Sequence, residues 1–308
     1  MTWSFSEYRL FRKCPRQWFY KAIFADARAK DPPRHEAYLL SKLQTIHGWR
    51  GQIVDAVLGE FVVAELNANR RPQLDETLTR AKALFDAQRD FAMRHKLREP
   101  EMSVSKAGSA FAAFVKIEYG EKLEDSEFDQ ACVDVETAFR NLWKLEELRK
   151  RLRDGEYRIA QRNLLFDHCG AKVRAVPDLI VFFVKEPPLL VDWKVHTFGT
   201  RDYADQLATY AIAVTRVTPH NDFPSLPRRF QPHELELIEA QLLLGTTRRH
   251  LLQPEDVQAT EEHIAEGICT LQLAHDGKSA DELLPTDFPS AHNPQTCQNC
   301  VFRKLCWN

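Results

Sequence analysis

The spacing of apolar residues changes near the middle of the chain. From 45 to 69, "TIHGWRGQIVDAVLGEFVVAELNAN" sets Ile53, Val57, Phe61 and Leu66 at near-helical intervals, which predicts an amphipathic helix. A second helical run covers 74–95 after Pro72, and two more fill roughly 103–120 and 127–153. Beyond Asp154-Gly155 the pattern shortens to β-prone runs. "YRIAQRNLLFD" (157–167), "KVRAVPDLIVFFV" (172–184) and "PLLVDWKV" (188–195) are separated by the turn signals "HCG" and "KEPP". A helix is expected over 200–217 with Thr200 as its N-cap. A proline-containing loop (219–232), a strand at 235–244 and a helix at about 255–274 complete the pattern. Helices, three strands, a helix and a strand predict an α/β core with a helical elaboration on its N-terminal side.

Composition narrows this little. A net charge of -2 over 308 residues gives no global sign of a nucleic-acid partner. Residues 1–30 are the exception, with Arg9, Arg12, Lys13, Arg16, Lys21, Arg28 and Lys30 set against Glu7 and Asp26. Arg16, Trp18 and Tyr20 in that segment suit contact with a single nucleic-acid strand through charge and stacking. No run approaches the roughly 20 apolar residues of a membrane span. The opening residues interrupt their apolar positions with charge, unlike a signal peptide. The expectation is a cytoplasmic chain with reduced thiols, whose cysteines are metal ligands or buried apolar groups.

The chemically loaded stretch is "VPDLIVFFVKEPPLLVDWKV". Asp178 is placed in the second strand and Asp192 in the third, and a hairpin brings them together. On a strand, Asp192 and Lys194 point to one face while Trp193 points to the other. Two carboxylates and an ammonium at the end of a sheet suit an oxygen-ligated divalent cation beside a base or charge stabiliser. Interior strands make the bland alternative, charges facing water, unfavourable for the set as a whole.

"PD" at 177–178 followed by "DWK" at 192–194 resembles the motif of the PD-(D/E)XK nucleases. "QLATY" resembles the Q-x-x-x-Y signature of the RecB-type branch, with Gln206 and Tyr210 on one helix face. The resemblance implies a restriction-endonuclease-like core, a mixed sheet flanked by helices, acting as a metal-dependent deoxyribonuclease. It implies Mg²⁺ or Mn²⁺ held by His47, Asp178, Asp192 and the Trp193 backbone carbonyl. Lys194 would orient or deprotonate water or stabilise the phosphorane, and Gln206 and Tyr210 would position DNA. One departure stands out: where some relatives place an acid in the first core strand, this chain has "IAQRN", with Gln161 as the stand-in.

The remaining signal lies at the two ends. "CQNCVFRKLC" (297–306) holds three cysteines, and a fourth, Cys14, lies in "SFSEYRLFRKCPRQWFY" (4–20). By spacing alone, four thiolates fit a structural zinc site or an iron–sulfur cluster. The pairing of an N-terminal cysteine with a C-x2-C-x5-C triad resembles the iron–sulfur RecB-like nucleases, including the AddB type and the Cas-four type of CRISPR adaptation. That resemblance implies a [4Fe-4S] cluster on Cys14, Cys297, Cys300 and Cys306, joining the termini of a single nuclease domain spanning 1–308. Within it, 1–30 and 290–308 form the cluster module, 40–153 is mainly helical and 154–276 is the catalytic core. Cys132, Cys169 and Cys269 read as packing residues, and His168 as a solvent-facing turn residue. DNA is the implied partner, in recombination, repair or antiviral defence. No phosphate-binding loop of a helicase occurs, so unwinding would need another chain. The alternative reading is a catalytically silent DNA-binding or redox-responsive scaffolding subunit with the same fold.

Overall fold

The computed structural model describes residues 1–308 except 100–102, 197–201, 226–227, 292 and 308. The expected N-cap Thr200 lies outside the described residues. Eight strands are present among them: β1 (Thr2–Trp3), β2 (Tyr157–Ala160), β3 (Leu164–His168), β4 (Ala171–Ala175), β5 (Leu179–Phe182), β6 (Leu189–Lys194), β7 (Glu236–Gln241) and β8 (Thr246–His250). They form two mixed sheets, ordered β1-β4-β3 and β2-β5-β6-β7-β8. β6 and β7 run parallel. The chain returns between them through the Asp202–Arg216 helix, as a parallel pair requires.

The expected three-strand block is therefore finer than the apolar pattern suggests. The run 157–167 breaks at Gln161, which takes a left-handed φ of 48°. The run 172–184 breaks at Val176–Asp178, where Pro177 has no N–H to give a ladder. Its halves enter different sheets. Asp178 accordingly sits just ahead of β5 rather than inside a strand. β8 follows a turn at Gly245 (φ 67°) and was hidden because "TTRRH" carries no apolar residue.

The helical region also departs in detail. The helix Ile46–Val57 continues through a wider π turn, Leu58–Val63, and Leu74–Arg94 and Asp125–Lys144 are long helices. The stretch 103–120 makes only short turns, Val104–Ala107 and Val115–Glu118. The last long helix is Pro254–His275.

The five-stranded sheet separates two apolar cores. Leu179, Val181, Leu189, Val191, Trp193, Ile238 and Ala240 face the helices of 46–152. Ile180, Phe182, Leu190 and Leu237 face the Asp202–Arg216 helix and the two chain ends. Burial on both faces explains why β6 reads as an almost unbroken apolar run up to its charged end. A buried carboxylate there needs a specific reason to exist.

Candidate active site

β5 stops at Leu179, opposite Val191, so β6 runs on past its neighbour. Asp178 fills the step. Its Oδ2 accepts the Trp193 N–H at 2.9 Å. N–H and C=O of one strand residue point to the same side, so the Trp193 carbonyl also faces the opening where β5 has ended. One residue earlier Asp192 is 1% exposed. The Lys194 ammonium pairs with its Oδ2, yet neither Asp192 oxygen has a well-formed hydrogen bond.

A third carboxylate joins from the helix Ile46–Val57. Burial, reinforced by the Asp192 charge, pushes the Asp55 carboxyl up to about 7. Burial and then the charges of Asp192 and Asp55 drive Asp178 well up. Burial also raises Asp192, against the lowering effect of Lys194. Asp192 raises both of the other acids and Asp55 raises Asp178, so the cluster is poised for a cation, which would relieve desolvation and repulsion together.

Around this cluster the polar side chains form a chain. Lys194 Nζ donates to Gln206 Oε1 at 3.4 Å, and Gln206 Nε2 donates to the Tyr210 hydroxyl. Lys194 also lies over the Tyr203 ring at 4.2 Å, whose hydroxyl meets His196 Nε2 at 2.7 Å. Burial and the three aspartates raise the Tyr210 phenol well above its ordinary value, so it is a donor and not a base. On β7, Glu239 is level with Asp192 in the parallel register. Glu239 is fully buried and meets His250 Nε2 at 2.9 Å.

Thus Asp178, Asp192, Trp193, Lys194, Gln206 and Tyr210 share one site. His47 does not join them. It is exposed in the first turn of its helix, where its electrostatic neighbour is Glu127. Eight residues separate it from Asp55, about 12 Å along a helix axis. Gln161 is also exposed, and its backbone N–H bonds the Asp178 carbonyl at 3.1 Å. Asp55 and Tyr203 escaped the sequence reading. The only signal for Asp55 was an acid between the apolar residues Val54 and Val57.

The four cysteines of the two ends line a second pocket, with Tyr20, Phe302 and Trp307 among its walls. Backbone N–H groups of Gln17 and Phe302 donate to Cys14 Sγ and Cys300 Sγ, each at 3.4 Å. Arg16 Nη1 approaches Cys306 Sγ at 3.9 Å. Burial, with the neighbouring sulfurs adding to it, pushes the Cys300 thiol up to about 11. Four sulfurs in one pocket, three of them meeting hydrogen-bond donors, suit a thiolate-ligated metal group. Even so, among the described residues no set of three or more His, Cys, Asp or Glu stands ready-made for a metal ion, here or at the carboxylates.

The basic aromatic segment does not present a stacking surface. Trp18 and Tyr20 are each 4% exposed. Trp18 meets Phe11, His275 and Phe288, while the Tyr20 hydroxyl donates to the Leu305 carbonyl at 2.9 Å. Arg16 Nε donates to the Phe288 carbonyl at 2.9 Å. Tyr20 lines the cysteine pocket and Arg16 reaches Cys306 at its edge, while Trp18 packs among aromatic rings. Cys169 and Cys269 are exposed, not packed. His168 is held between Arg216 and the Glu261 carbonyl, each at 3.2 Å.

A family model described as the PD-(D/E)XK nuclease superfamily matches residues 2–307. The chain belongs to that superfamily. Its members are typically metal-dependent nucleases that use Mg²⁺ or Mn²⁺ on DNA, and the two mixed sheets with their helices fit its fold. No curated protein matches the sequence. Among solved structures, the chain is similar to one described as "Crystal structure of SSO0001". Sequence identity is 13%, over 73% of this chain and 94% of that one, with a TM-score of 0.30, too low to inform the argument. Among the described residues no helix is long and apolar enough to cross a membrane.

Proposed function

We propose that this PD-(D/E)XK protein is a metal-dependent deoxyribonuclease whose two termini are tied by a [4Fe-4S] cluster. The observation that carries the nuclease reading is Asp192, a buried carboxylate without well-formed hydrogen bonds, set between Asp178, Asp55 and Lys194. In this reading Asp55, Asp178, Asp192 and the Trp193 carbonyl would hold Mg²⁺ or Mn²⁺, with Asp55 in the place expected for His47. A bound divalent cation supplies Lewis acidity, making water more acidic and offsetting charge on phosphorus. Lys194, steadied by Asp192 and Gln206, orients the attacking water or takes its proton and stabilises negative charge. Gln206 donates to the Tyr210 hydroxyl and so leaves the phenol O–H free to position the scissile phosphate.

The cysteine reading rests on the four sulfurs lining one pocket with donors aimed at three of them. Cys14, Cys297, Cys300 and Cys306 would hold the cluster, which supplies a cross-link between the chain ends. DNA with single-stranded character or free ends is the proposed substrate, in recombination, repair or antiviral defence, with any helicase a separate chain.

The test is cleavage of single- and double-stranded DNA by the purified chain, with and without Mg²⁺ or Mn²⁺, alongside its visible absorbance. Metal-dependent cleavage that disappears in Asp192→Ala is the expected result. Intact DNA in every metal condition, with binding retained, would replace this reading by the silent DNA-binding subunit. A colourless protein carrying stoichiometric zinc would overturn only the cluster.

A further inference from the structure

A further pocket shares no residue with either site. Val62, Leu66, Leu142 and Leu152 form its apolar floor, and Arg71, Pro72, Trp143, Arg149 and Arg153 its rim, around a volume of about 230 Å³. No carboxylate lines it. Neighbouring guanidiniums are paired: Arg70 with Glu65, Arg80 with Glu76, and Arg151 with Glu186 and Glu236. Arg71, Arg149 and Arg153 have no carboxylate within ion-pair distance among the described residues.

The arrangement is fixed in place. Arg149 Nη1 donates to the Trp143 carbonyl at 2.7 Å, and its guanidinium lies 5.3 Å from the Trp143 ring centroid. Behind the floor, Arg158 is 3% exposed. It donates to the carbonyls of Leu66 and of Leu152, Arg153 and Gly155. That clamp joins the two walls of the pocket and adds positive charge beneath it. Guanidiniums lining one pocket repel one another: burial, and after it the Arg153 charge, lower the Arg149 pKa, with only Glu146 acting the other way. A dianion on the rim would relieve that repulsion through charge-assisted, fork-shaped hydrogen bonds. The leucine floor and the Trp143 edge would desolvate whatever carries the anion.

We propose that this pocket binds a phosphate monoester on an aromatic or apolar body, the shared chemistry of a nucleoside monophosphate and of a 5′-phosphorylated DNA end. The proposal stands apart from the nuclease reading, because no residue is common to the two sites.

Calorimetric titration of the full-length protein, without added divalent cation, tests it. The probes are dAMP, deoxyadenosine, and one short oligonucleotide with and without a 5′-phosphate. Saturable binding of dAMP but not of deoxyadenosine is expected. Loss of two charge-assisted contacts in Arg71→Ala/Arg153→Ala should weaken it roughly tenfold or more. Both side chains are exposed, so the double variant leaves the fold intact. A phosphate-dependent oligonucleotide that binds tighter than dAMP identifies the DNA end as the source; equal affinity identifies the free nucleotide. Binding that ignores the phosphate, or that the double variant leaves unchanged, overturns the proposal.

Discussion

The carboxylate cluster and the cysteine pocket both gather residues from distant parts of the chain, but by opposite means. Asp178, Asp192 and Lys194 are delivered by a β-hairpin and a sheet packed between two apolar cores, with Glu239 and Gln241 as buried polar neighbours on β7. Asp55 arrives on a long helix. That scaffold holds three mutually repelling acids without help from them. The cysteines sit in or beside short elements, Pro15–Phe19 (capped by Cys14), Pro294–Gln298 and Arg303–Cys306, too brief to be stable alone. Their placement rests on aromatic contacts such as Phe19 stacked on Phe288 at 4.9 Å and Tyr20 on Phe302 at 5.7 Å. One site weakens a strong frame, whereas the other would strengthen a weak one. Substitutions should therefore separate activity from stability in opposite directions.

The largest effect is expected from Asp192→Ala. It removes the central carboxylate, and with it the several kcal/mol of charge stabilisation a bound metal supplies, so cleavage should fall roughly 10³-fold or more. Stability should fall little, because a desolvated charge is lost while Asp55 and Asp178 remain as partners for the Lys194 ammonium. Rates and thermal melts on one preparation check both halves. Undiminished cleavage would place the chemistry elsewhere.

Cys14→Ala should do the reverse. By the cross-link argument, closing a loop of nearly the whole chain contributes at most on the order of 5 kcal/mol. The variant should lose visible colour and melt earlier. A variant that keeps its melting temperature would show that the aromatic contacts suffice.

Lys194→Ala tests the division of labour inside the acid site. Turnover should drop by the roughly 10²–10⁴-fold typical of acid–base groups. Metal affinity, read by calorimetry, should hold or rise, because a neighbouring positive charge is gone. Parallel loss of metal and rate would make Lys194 a counter-ion of Asp192 and leave the base unassigned.

The contrast also shows what the sequence could reveal. The D-x-K pair on one strand, the Q-x-x-x-Y pair on one helix and the clustered cysteines are local patterns, legible without coordinates. Asp55 is not local. It matters because β5 begins only one residue after Asp178, leaving an opening beside Trp193, and nothing in "QIVDAV" records that gap. His47 was singled out for its chemistry, but helix geometry carries it two turns away from Asp55. The aromatic character of Trp18 and Tyr20 was visible, while the direction they face was decided by Phe288 and Phe302, nearly 300 positions along the chain. Gln161 and Pro177 were likewise read as parts of runs, although backbone conformation and a missing donor made them breaks.

Asp55 also provides the finest test of the idea that this site weakens its frame. Its carboxyl titrates at about 7 in the fold and near 3.8 when unfolded. Between those values the folded state binds the extra proton, so protonation favours folding. Stability of the protein without divalent cation should therefore be greatest below pH 4 for this group and decline as pH rises to about 7. Asp55→Asn removes the charge at similar volume, so it should flatten that slope and stabilise the cation-free protein at pH 8. The gain should be only roughly 1–2 kcal/mol, because the remaining aspartates share the repulsion and the new amide needs partners of its own. Mg²⁺ should invert the picture, raising the melting temperature of the native chain at pH 8 more than at pH 6 and leaving Asp55→Asn nearly unmoved. The readout is denaturant unfolding at four pH values with and without Mg²⁺. A slope that survives in Asp55→Asn would assign the titration to Asp178 and Asp192 alone, and would take Asp55 out of the metal site.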